Sequence, residues 1–415
     1  MGNDIINYHN KGCDKMQVEK MTEKEIEELA VKWRRDFHEH PEISYHEEQT
    51  AHRIGEALRT IGLEPTMAKK SHGLIATIEG GKRGPMIALR ADIDALQVEE
   101  AVDVPWKSQN PGVMHACGHD LHIAILLTTA LRLMQHRTDL AGKVRLLFQP
   151  SEEMTPDGGA KFMIEEGFLE GCIAVFGLHV WPDFLCGQAG VKPGPLMAAS
   201  DRFKIKVIGK TSHAGHPDQG VDAVMATADI LQQISHIVSR RVNPLSTATI
   251  NVGTLQAGSR YNVVPGEANM EGTIRTLDET ARTNIPKFIK NILEGAKIST
   301  GIDYKMEYFY GYPVLNNWPV PAKLVADTIQ KVLGKDALMK TEPHLTAEDF
   351  GVYLQKVPGA FLWLGCRKAG EPVYGLHSSK LCPDENTLHV GSKLMEQVTI
   401  NALWALSNGV NFTKD

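Results

Sequence analysis

The stretch Met114-His115-Ala116-Cys117-Gly118-His119-Asp120 places a thiol, two imidazoles and a carboxylate within seven residues. An apolar run with helical spacing follows it directly, formed by Leu121, Ile123, Ala124, Leu126, Leu127, Ala130, Leu131, Leu133 and Met134. The pattern predicts a loop held at the N-terminus of a buried helix, with Asp120 capping that helix. Cys and His side chains suit Zn, Mn, Co or Ni, so the stretch is a candidate metal loop. This stretch alone leaves open a buried free thiol beside a capped helix.

Polar residues follow three predicted apolar strands. Residues 86–90 run into Asp92, residues 143–150 run into Glu152 and Glu153, and residues 173–178 run into His179. Helical segments alternate with these strands, which predicts an α/β fold with a mainly parallel, doubly wound sheet. Because the carboxyl ends of such strands meet at one edge of the sheet, we expect these side chains to lie close together.

The pattern changes near Ser200. Residues 203–209 alternate apolar and polar, as in a half-exposed antiparallel strand, and helices and strands of an α+β type follow up to residue 310. We therefore expect an inserted α+β domain over 199–310. The predicted catalytic domain then has two parts, residues 1–198 and residues 311–415.

Two shorter motifs precede the sheet. Thr22 followed by Glu25 is a capping-box pattern, which predicts a helix start, and the polar residues 1–20 before it are expected to be loosely ordered. His38-Glu39-His40-Pro41-Glu42 contains ligand-type side chains, but Pro41 interrupts any helix and the motif is not H-E-x-x-H. We expect this motif either to have a structural role or to contact the metal ligands without binding metal itself.

The composition is that of an ordinary globular protein. Of 415 residues, 42% are hydrophobic and 23% are charged, and the formal net charge is −6 at pH 7. This charge argues against nucleic-acid binding, which needs a basic surface. Six cysteines without close pairing indicate reduced thiols. The sequence has no long apolar run and no apolar leader, so we expect a cytoplasmic protein that does not bind a membrane.

The candidate ligands exceed what one structural zinc site uses. They are Cys117, His119, Glu153, His179 and His377. A pair of ions that share one ligand would use such a set. Glu152, beside Glu153, can take a proton from metal-bound water, and Asp92 can orient a ligating imidazole. Taken singly, the Glu pair also suits a solvated helix start, and His179 suits a satisfied histidine at a strand end.

Together these motifs resemble the M20 metallopeptidase family. The segments that carry the resemblance are Met114–Asp120, Arg90-Ala91-Asp92-Ile93-Asp94-Ala95-Leu96, Gln149-Pro150-Ser151-Glu152-Glu153, Gly177-Leu178-His179 and Leu376-His377-Ser378. The chain looks most like the branch of amidohydrolases that hydrolyse N-acyl amino acids, such as hippurate hydrolases, indoleacetyl-amino-acid hydrolases and N-acetyldiaminopimelate deacetylases. The resemblance covers about residues 35–391.

The resemblance implies a role for each matching residue. The five candidate ligands would hold two divalent ions, with Cys117 as the bridging ligand, Glu152 as general base and Asp92 as the supporting active-site aspartate. The inserted domain would be a lid or dimerisation domain, and the protein a homodimer or higher homo-oligomer. His213 matches a lid histidine that polarises the scissile carbonyl, often across a dimer. Asn262 and Arg275 match lid positions that contact substrate.

Two departures from the branch pattern stand near these motifs. Gln97 stands where the branch usually has proline, which affects local loop shape. The lid stretch reads Lys210-Thr211-Ser212-His213, where Lys-Gly-Gly-His is common, so two glycines beside the matching histidine are replaced here, which affects the reach of His213.

Three hypotheses about function follow. The first is a metal-dependent amidohydrolase that converts an N-acyl amino acid into a carboxylate and a free amino acid, using Mn²⁺ or Zn²⁺, with Co²⁺ or Ni²⁺ as alternatives. The second is a catalytically silent homologue that binds acyl amino acids; the presence of Glu152 and of every ligand argues against it. The third is a cysteine nucleophile at Cys117, which the clustered histidines and carboxylates disfavour.

Overall fold

The strands and helices below come from a computed structural model that describes residues 16–413. The strands are β1 (Thr66–Met67), β2 (Leu74–Glu79), β3 (Lys82–Asp92), β4 (Ala141–Gln149), β5 (Cys172–Leu185), β6 (Ala189–Gly190), β7 (Gly194–Met197), β8 (Ala199–Ile208), β9 (Ser212–His213), β10 (Ala248–Ala257), β11 (Val263–Val264), β12 (Glu267–Thr276), β13 (Asp303–Tyr312), β14 (Leu315–Asn317), β15 (Leu338–Met339) and β16 (Gly359–Arg367).

The helices are α1 (Glu23–Glu39), α2 (Glu48–Ile61), α3 (His119–Gln135), α4 (Gly159–Glu165), α5 (Ala223–Arg240), α6 (Glu279–Thr300), α7 (Pro319–Leu333), α8 (Gly351–Leu354) and α9 (Asn386–Ser407). Short 3-10 helices cover Val18–Lys20, Arg137–Asp139, Pro217–Gln219 and Lys335–Ala337. No helix within residues 16–413 has the length and apolar composition that a membrane crossing requires.

An eight-stranded sheet lies at the centre of the fold, in the order β1-β2-β4-β3-β5-β16-β6-β15. β3 is parallel to β4 and β5, and β5 is parallel to β16, whereas β2 and β6 pair antiparallel with β4 and β16. The predicted α/β fold with a mainly parallel sheet is confirmed.

Helices cover both faces of this sheet. Alternate residues of β3, such as Ile87 and Ala88, enter two separate apolar clusters. Helices α1, α2, α3, α7 and α9 line the first cluster, and α4 and α8 lie on the second. Every residue of α3 from His119 to Met134 is buried, which confirms the predicted buried helix. This burial fixes the position of the residues at its N-terminus.

A second, antiparallel sheet has the order β10-β12-β8-β13. Helices α5 and α6 pack on one of its faces through residues such as Ile230 and Ile285, and β10 forms a largely exposed edge. The sheet begins at Ala199, and its last strand ends at Tyr312, two residues beyond the predicted bound of 310. The division of the chain into domains stays a prediction.

The start of the described chain bears out one local prediction and limits another. Thr22 is the N-cap of α1, and both hydrogen bonds of its capping box with Glu25 are present. Val18 packs into the core, so residues 16–20 are held, whereas residues 1–15 and the prediction of loose order there lie outside the described part. Among described residues, the cysteines are free thiols: Cys117, Cys172, Cys186, Cys366 and Cys382.

Candidate metal centre

The loop before α3 makes a tight turn at Gly118. Gly118 is the N-cap residue of α3 and has φ +85°, a backbone conformation that L side chains rarely adopt. A Cβ at this position would lie 2.5 Å from Cγ2 of Val180 on β5. Glycine is therefore required here, and the turn places Cys117 and His119 on either side of it, against the middle of β5.

Cys117, His119 and His179 form the buried part of the site. The Cys117 Sγ lies 3.4 Å from Nε2 of His179. Nδ1 of His119 hydrogen-bonds to the carbonyl oxygen of Asp94 at 2.8 Å, and Nδ1 of His179 hydrogen-bonds to that of Val180 at 2.7 Å. Both rings are thereby fixed by one nitrogen, and the other nitrogen, Nε2, faces the cluster.

Glu153 and His377 complete the cluster on its solvent side. Oε1 of Glu153 lies 3.2 Å from Nε2 of His377 and 3.9 Å from Nε2 of His119. His377 has φ +65°, and its N–H donates to the carbonyl of Ala116 at 2.8 Å. This strained backbone, joined to the Cys117 loop, aims the imidazole at the site.

The donor atoms fit divalent cations. Two triplets, Cys117–His119–His179 and Cys117–Glu153–His377, each have their donor atoms within 4.8 Å of one another, and they share Cys117. Nε2 of His119 is buried and has no hydrogen-bond partner among residues 16–413. Thiolate, imidazole and carboxylate together suit Zn²⁺ and related ions. The structure thus brings together all five ligand candidates, and their role as ligands stays a prediction.

The pKa shifts of Cys117 and His119 also indicate a site suited to a cation. Burial, followed by the nearby carboxylates of Glu153 and Glu152, raises the pKa of Cys117 well above its usual range. Burial opposes protonation of His119, but Asp92, Asp94 and Glu153 outweigh it and raise the pKa of that imidazole to about 10. An excess of buried acidic groups therefore surrounds the cluster, and a divalent cation would balance it.

Glu152 enters the same cavity from the end of β4. Only 6% of its surface is exposed. Burial, then the carboxylates of Glu348 and Glu153, raises the pKa of Glu152 well above its usual range. A carboxyl group whose pKa is raised in this way holds a proton more readily than an exposed glutamate, which suits a group that accepts and returns a proton.

Asp92 contacts His122, which is not one of the five candidate ligands. It accepts from Nδ1 of His122 at 2.5 Å, and Nε2 of His122 accepts from the Val180 N–H at 2.9 Å. His119, at 3.7 Å from Asp92, is held by Asp94 instead. Asp92 therefore hydrogen-bonds to a histidine outside the five candidate ligands, and its role as the supporting active-site aspartate stays a prediction. His122 and Asp94 are supporting residues that sequence reasoning missed, although His122 lies one helical turn after His119 and Asp94 ends the quoted Asp92 motif.

A buried arginine lies beneath Asp92. Arg90 pairs with Asp92 at 2.6 Å, Asp349 at 2.7 Å and Glu348 at 3.0 Å. Glu348 also lines the cavity. No local pattern marks this network, because Arg90 and Glu348 are brought together only by the tertiary fold.

Asp120 does not cap α3. Its carboxylate accepts from Nε of Arg34 at 2.8 Å and from Nδ1 of His38 at 2.9 Å, and the N-cap has no side-chain hydrogen bond. The capping prediction was wrong because the Asp120 carboxylate binds two side chains of α1 instead of the backbone N–H groups at the start of α3. Nε2 of His38 contacts Glu100 at 3.0 Å, which confirms a structural role for the His38 motif.

The lid residues divide between two places. Arg275 lines a cavity of about 450 Å³ together with Cys117, Glu152, Glu153, His179 and His377. His213 is exposed and pairs with Val263, the residue after Asn262, through the β9–β11 pairing. Neither His213 nor Asn262 is among the described residues that line this cavity. The structure therefore brings Arg275 to the candidate centre and leaves His213 and Asn262 apart from it.

Comparison with known proteins gives a consistent result. The profile of peptidase family M20/M25/M40 matches residues 88–401. An N-acetylcysteine deacetylase of Bacillus subtilis is 36% identical over 384 residues, covering 92% of this chain and 99% of its own. An N-acyl-L-amino acid amidohydrolase of Geobacillus stearothermophilus is 42% identical over 305 residues, covering 71% and 82%.

A solved structure extends the similarity to three dimensions. The YXEP protein of Bacillus subtilis, described as a dinuclear metal binding peptidase from the M20 family, is 35% identical to this chain. It superposes with a TM-score of 0.81 and covers 92% of this chain and 99% of its own.

Proposed function

The chain belongs to peptidase family M20/M25/M40 and is a hydrolytic enzyme that acts on amides, and we propose that it cleaves N-acyl amino acids to a carboxylate and a free amino acid. The observation that supports this most is the pair of donor triplets sharing Cys117 beside the buried carboxyl of Glu152. The N-acyl amino acid substrates of the named relatives supply the substrate class.

Two divalent ions would be held by the five candidate ligands, with Cys117 contacting both. We propose Mn²⁺ or Zn²⁺, with Co²⁺ or Ni²⁺ as alternatives, because imidazole and carboxylate accept each of these. When bound, such ions lower the pKa of water and polarise a carbonyl oxygen. Nδ1 of His119 and of His179 are already held by backbone carbonyls, so both Nε2 atoms face the cluster, where each would bind an ion in its deprotonated form.

Glu152 is the proposed general base. It accepts a proton from the attacking water and returns it to the amide nitrogen as the C–N bond breaks, so that the products are a carboxylate and an amine. Its burial and its acidic neighbours make the protonated form easy to reach. No other glutamate of the cavity stands directly beside a ligand in the sequence.

Residues of the inserted domain are the proposed contacts that orient the substrate. Arg275 is half-buried in the cavity and suits the free carboxylate of an N-acyl amino acid. His213 and Asn262 lie outside the cavity, so we propose that they act at the site of a second copy in a homodimer or higher oligomer, with His213 stabilising the oxyanion.

The test is a panel of N-acetyl, N-benzoyl and indoleacetyl amino acids, assayed with each metal. Glu152→Gln should lower kcat by about 10²- to 10⁴-fold with metal content unchanged. Glu165→Gln, an exposed glutamate of α4, is the matched control. A silent acyl-amino-acid-binding homologue would bind these compounds without turnover, and loss of metal in Glu152→Gln would contradict the role of Glu152 as base.

A further inference from the structure

A short segment between α1 and α2 runs behind the candidate metal centre. This segment, residues 42–47, is named the 42–47 loop. Its Glu42 carboxylate accepts from the N–H of Thr50 at 2.7 Å, which ties the loop to the start of α2. The N–H of Ala95 donates to the Glu42 carbonyl at 2.8 Å, which ties it to the turn after β3. The loop is thus anchored on both sides.

Glu47 ends the loop and is completely buried. Its Oε1 accepts from the N–H of Ser151 at 2.7 Å and from the Ser151 hydroxyl at 2.9 Å. The same hydroxyl accepts from the N–H of Tyr45 at 3.0 Å. One carboxylate oxygen therefore holds both the backbone and the side chain of Ser151.

Ser151 needs such a restraint. It has φ +55°, in the left-handed region that a non-glycine residue occupies at an energetic penalty. It directly precedes Glu152 and Glu153, so its backbone angles set the direction in which both carboxylates leave β4. A relaxed Ser151 would turn these side chains away from the cluster.

A second contact of the loop supports the same turn. The hydroxyl of Ser44 donates to Oδ2 of Asp94 at 2.6 Å, and that oxygen also accepts from the N–H of Glu153 at 3.0 Å. Asp94 holds His119 as well. The loop therefore links the turn that carries Glu152 and Glu153 to the turn that holds His119.

We propose that Glu47 is a positioning residue, whose carboxylate oxygen holds Ser151 in its left-handed conformation and thereby aims Glu152 and Glu153 into the cavity. Among residues 16–413, no cationic side chain pairs with the buried Glu47 carboxylate, and such burial is unfavourable for folding. A function in holding the Ser151 turn would explain why a glutamate stands at this position. The proposal rests on the proposed function only for the chemistry of Glu152 and Glu153, and not for the geometry.

Hydrogen exchange measured by mass spectrometry on the full-length protein tests the geometry. Glu47→Ala should increase exchange at least tenfold in peptides covering residues 149–155 and leave β12 unchanged. Glu47→Gln keeps an acceptor oxygen and should exchange like wild-type protein, as should Glu48→Ala, an exposed neighbour on the same helix turn. Unchanged exchange in Glu47→Ala, or equal increases in Glu47→Ala and Glu47→Gln, would overturn the proposal.

Titration with Co²⁺, followed by its absorption spectrum, tests the consequence for the cluster. Glu47→Ala should weaken Co²⁺ binding by about 10- to 100-fold, the usual effect of removing a supporting partner, and Glu47→Gln should restore it. In the substrate assay, Glu47→Ala should lower kcat more than it changes KM. A lowered melting temperature with wild-type Co²⁺ affinity would show a structural role only and overturn the proposal.

Ser151→Ala provides the second variant if Glu47→Ala does not fold. It removes the hydroxyl but keeps the N–H bond to Glu47, so exchange over 149–155 should rise less than in Glu47→Ala. Wild-type exchange in Ser151→Ala would overturn the proposal. If the protein cleaves no N-acyl amino acid with any metal, the proposed function fails, and the exchange measurements still decide the role of Glu47.

Discussion

Replacing Gly118 with alanine should damage both the fold and the metal loop. Gly118 has φ +85° and ψ +20°, and an added Cβ would lie 2.5 Å from Cγ2 of Val180. The left-handed conformation costs about 1–2 kcal/mol for an L residue. Forcing a methyl group into packed surroundings adds about 1–3 kcal/mol. We therefore expect Gly118→Ala to lower the free energy of unfolding by about 2–5 kcal/mol.

Gly62 offers a matched control. It has nearly the same backbone angles, φ +91° and ψ +18°, but the nearest atom to its added Cβ is 4.0 Å away. Gly62→Ala should therefore show only the conformational term of about 1–2 kcal/mol. The difference between the two losses of unfolding free energy therefore measures the cost of the steric overlap with Val180.

The assay is urea unfolding of the metal-free protein followed by circular dichroism, with Co²⁺ titration of each folded variant. Val180→Ala combined with Gly118→Ala should recover part of the overlap energy as a coupling term in a double-mutant cycle. Gly118→Ala should also bind Co²⁺ at least tenfold more weakly, because Cys117 and His119 flank the turn. Equal losses in Gly118→Ala and Gly62→Ala, with no coupling to Val180, would refute the reasoning.

Three further predictions concern single residues. Cys117→Ala should lower metal content, measured by elemental analysis, and unchanged metal would refute its assignment as a ligand. His213→Ala should lower kcat by about 10²- to 10³-fold with unfolding free energy within about 0.5 kcal/mol of wild type, because the side chain is exposed; full activity would remove His213 from the mechanism. Burial, then Asp94, raises the pKa of Glu47 from 4.5 to about 7, so the folded state binds this proton more tightly and loses stability as pH rises between those values. Glu47→Gln should therefore gain up to about 3 kcal/mol relative to wild type from pH 4.5 to pH 7 in urea unfolding, and parallel pH profiles would contradict this.

Local patterns predicted the elements that carry the site. The strands that end at or just before Asp92 and Glu152 were recognisable because buried parallel strands are continuous apolar runs, and their order along the chain implied one shared edge. The predicted strand end at His179 was wrong, because β5 continues to Leu185 and His179 lies within it. The apolar run after Gly118 predicted α3 because its apolar residues recur at helical spacing. These strands and α3 are determined by residues close together in the sequence, so they could be predicted without knowledge of the tertiary fold.

Long-range contacts account for what the sequence did not reveal. Asp120 resembled a helix cap, but Arg34 and His38 reach it across more than 80 residues. The contact of Asp92 with His122 depends on which face of α3 packs against β3, and a single sequence does not reveal how the helix is rotated about its axis. Glu47 belongs to no motif, Ser151 lies in the Gln149–Glu153 motif without an assigned role, and only the fold shows that Glu47 holds Ser151.

The position of β16 has a consequence for how this protein is made. β16 lies between β5 and β6, yet about 170 residues separate its start from the end of β5. At ribosomal rates of 5–20 residues per second, the nascent chain waits roughly 10 to 35 seconds with the edge of β5 unpaired. During that interval an apolar strand edge is open to other chains, which is a known route to aggregation. Chains truncated before residue 359 would already contain Cys117, His119, Glu153 and His179, yet they would be clients for chaperones because the gap in their sheet is never filled.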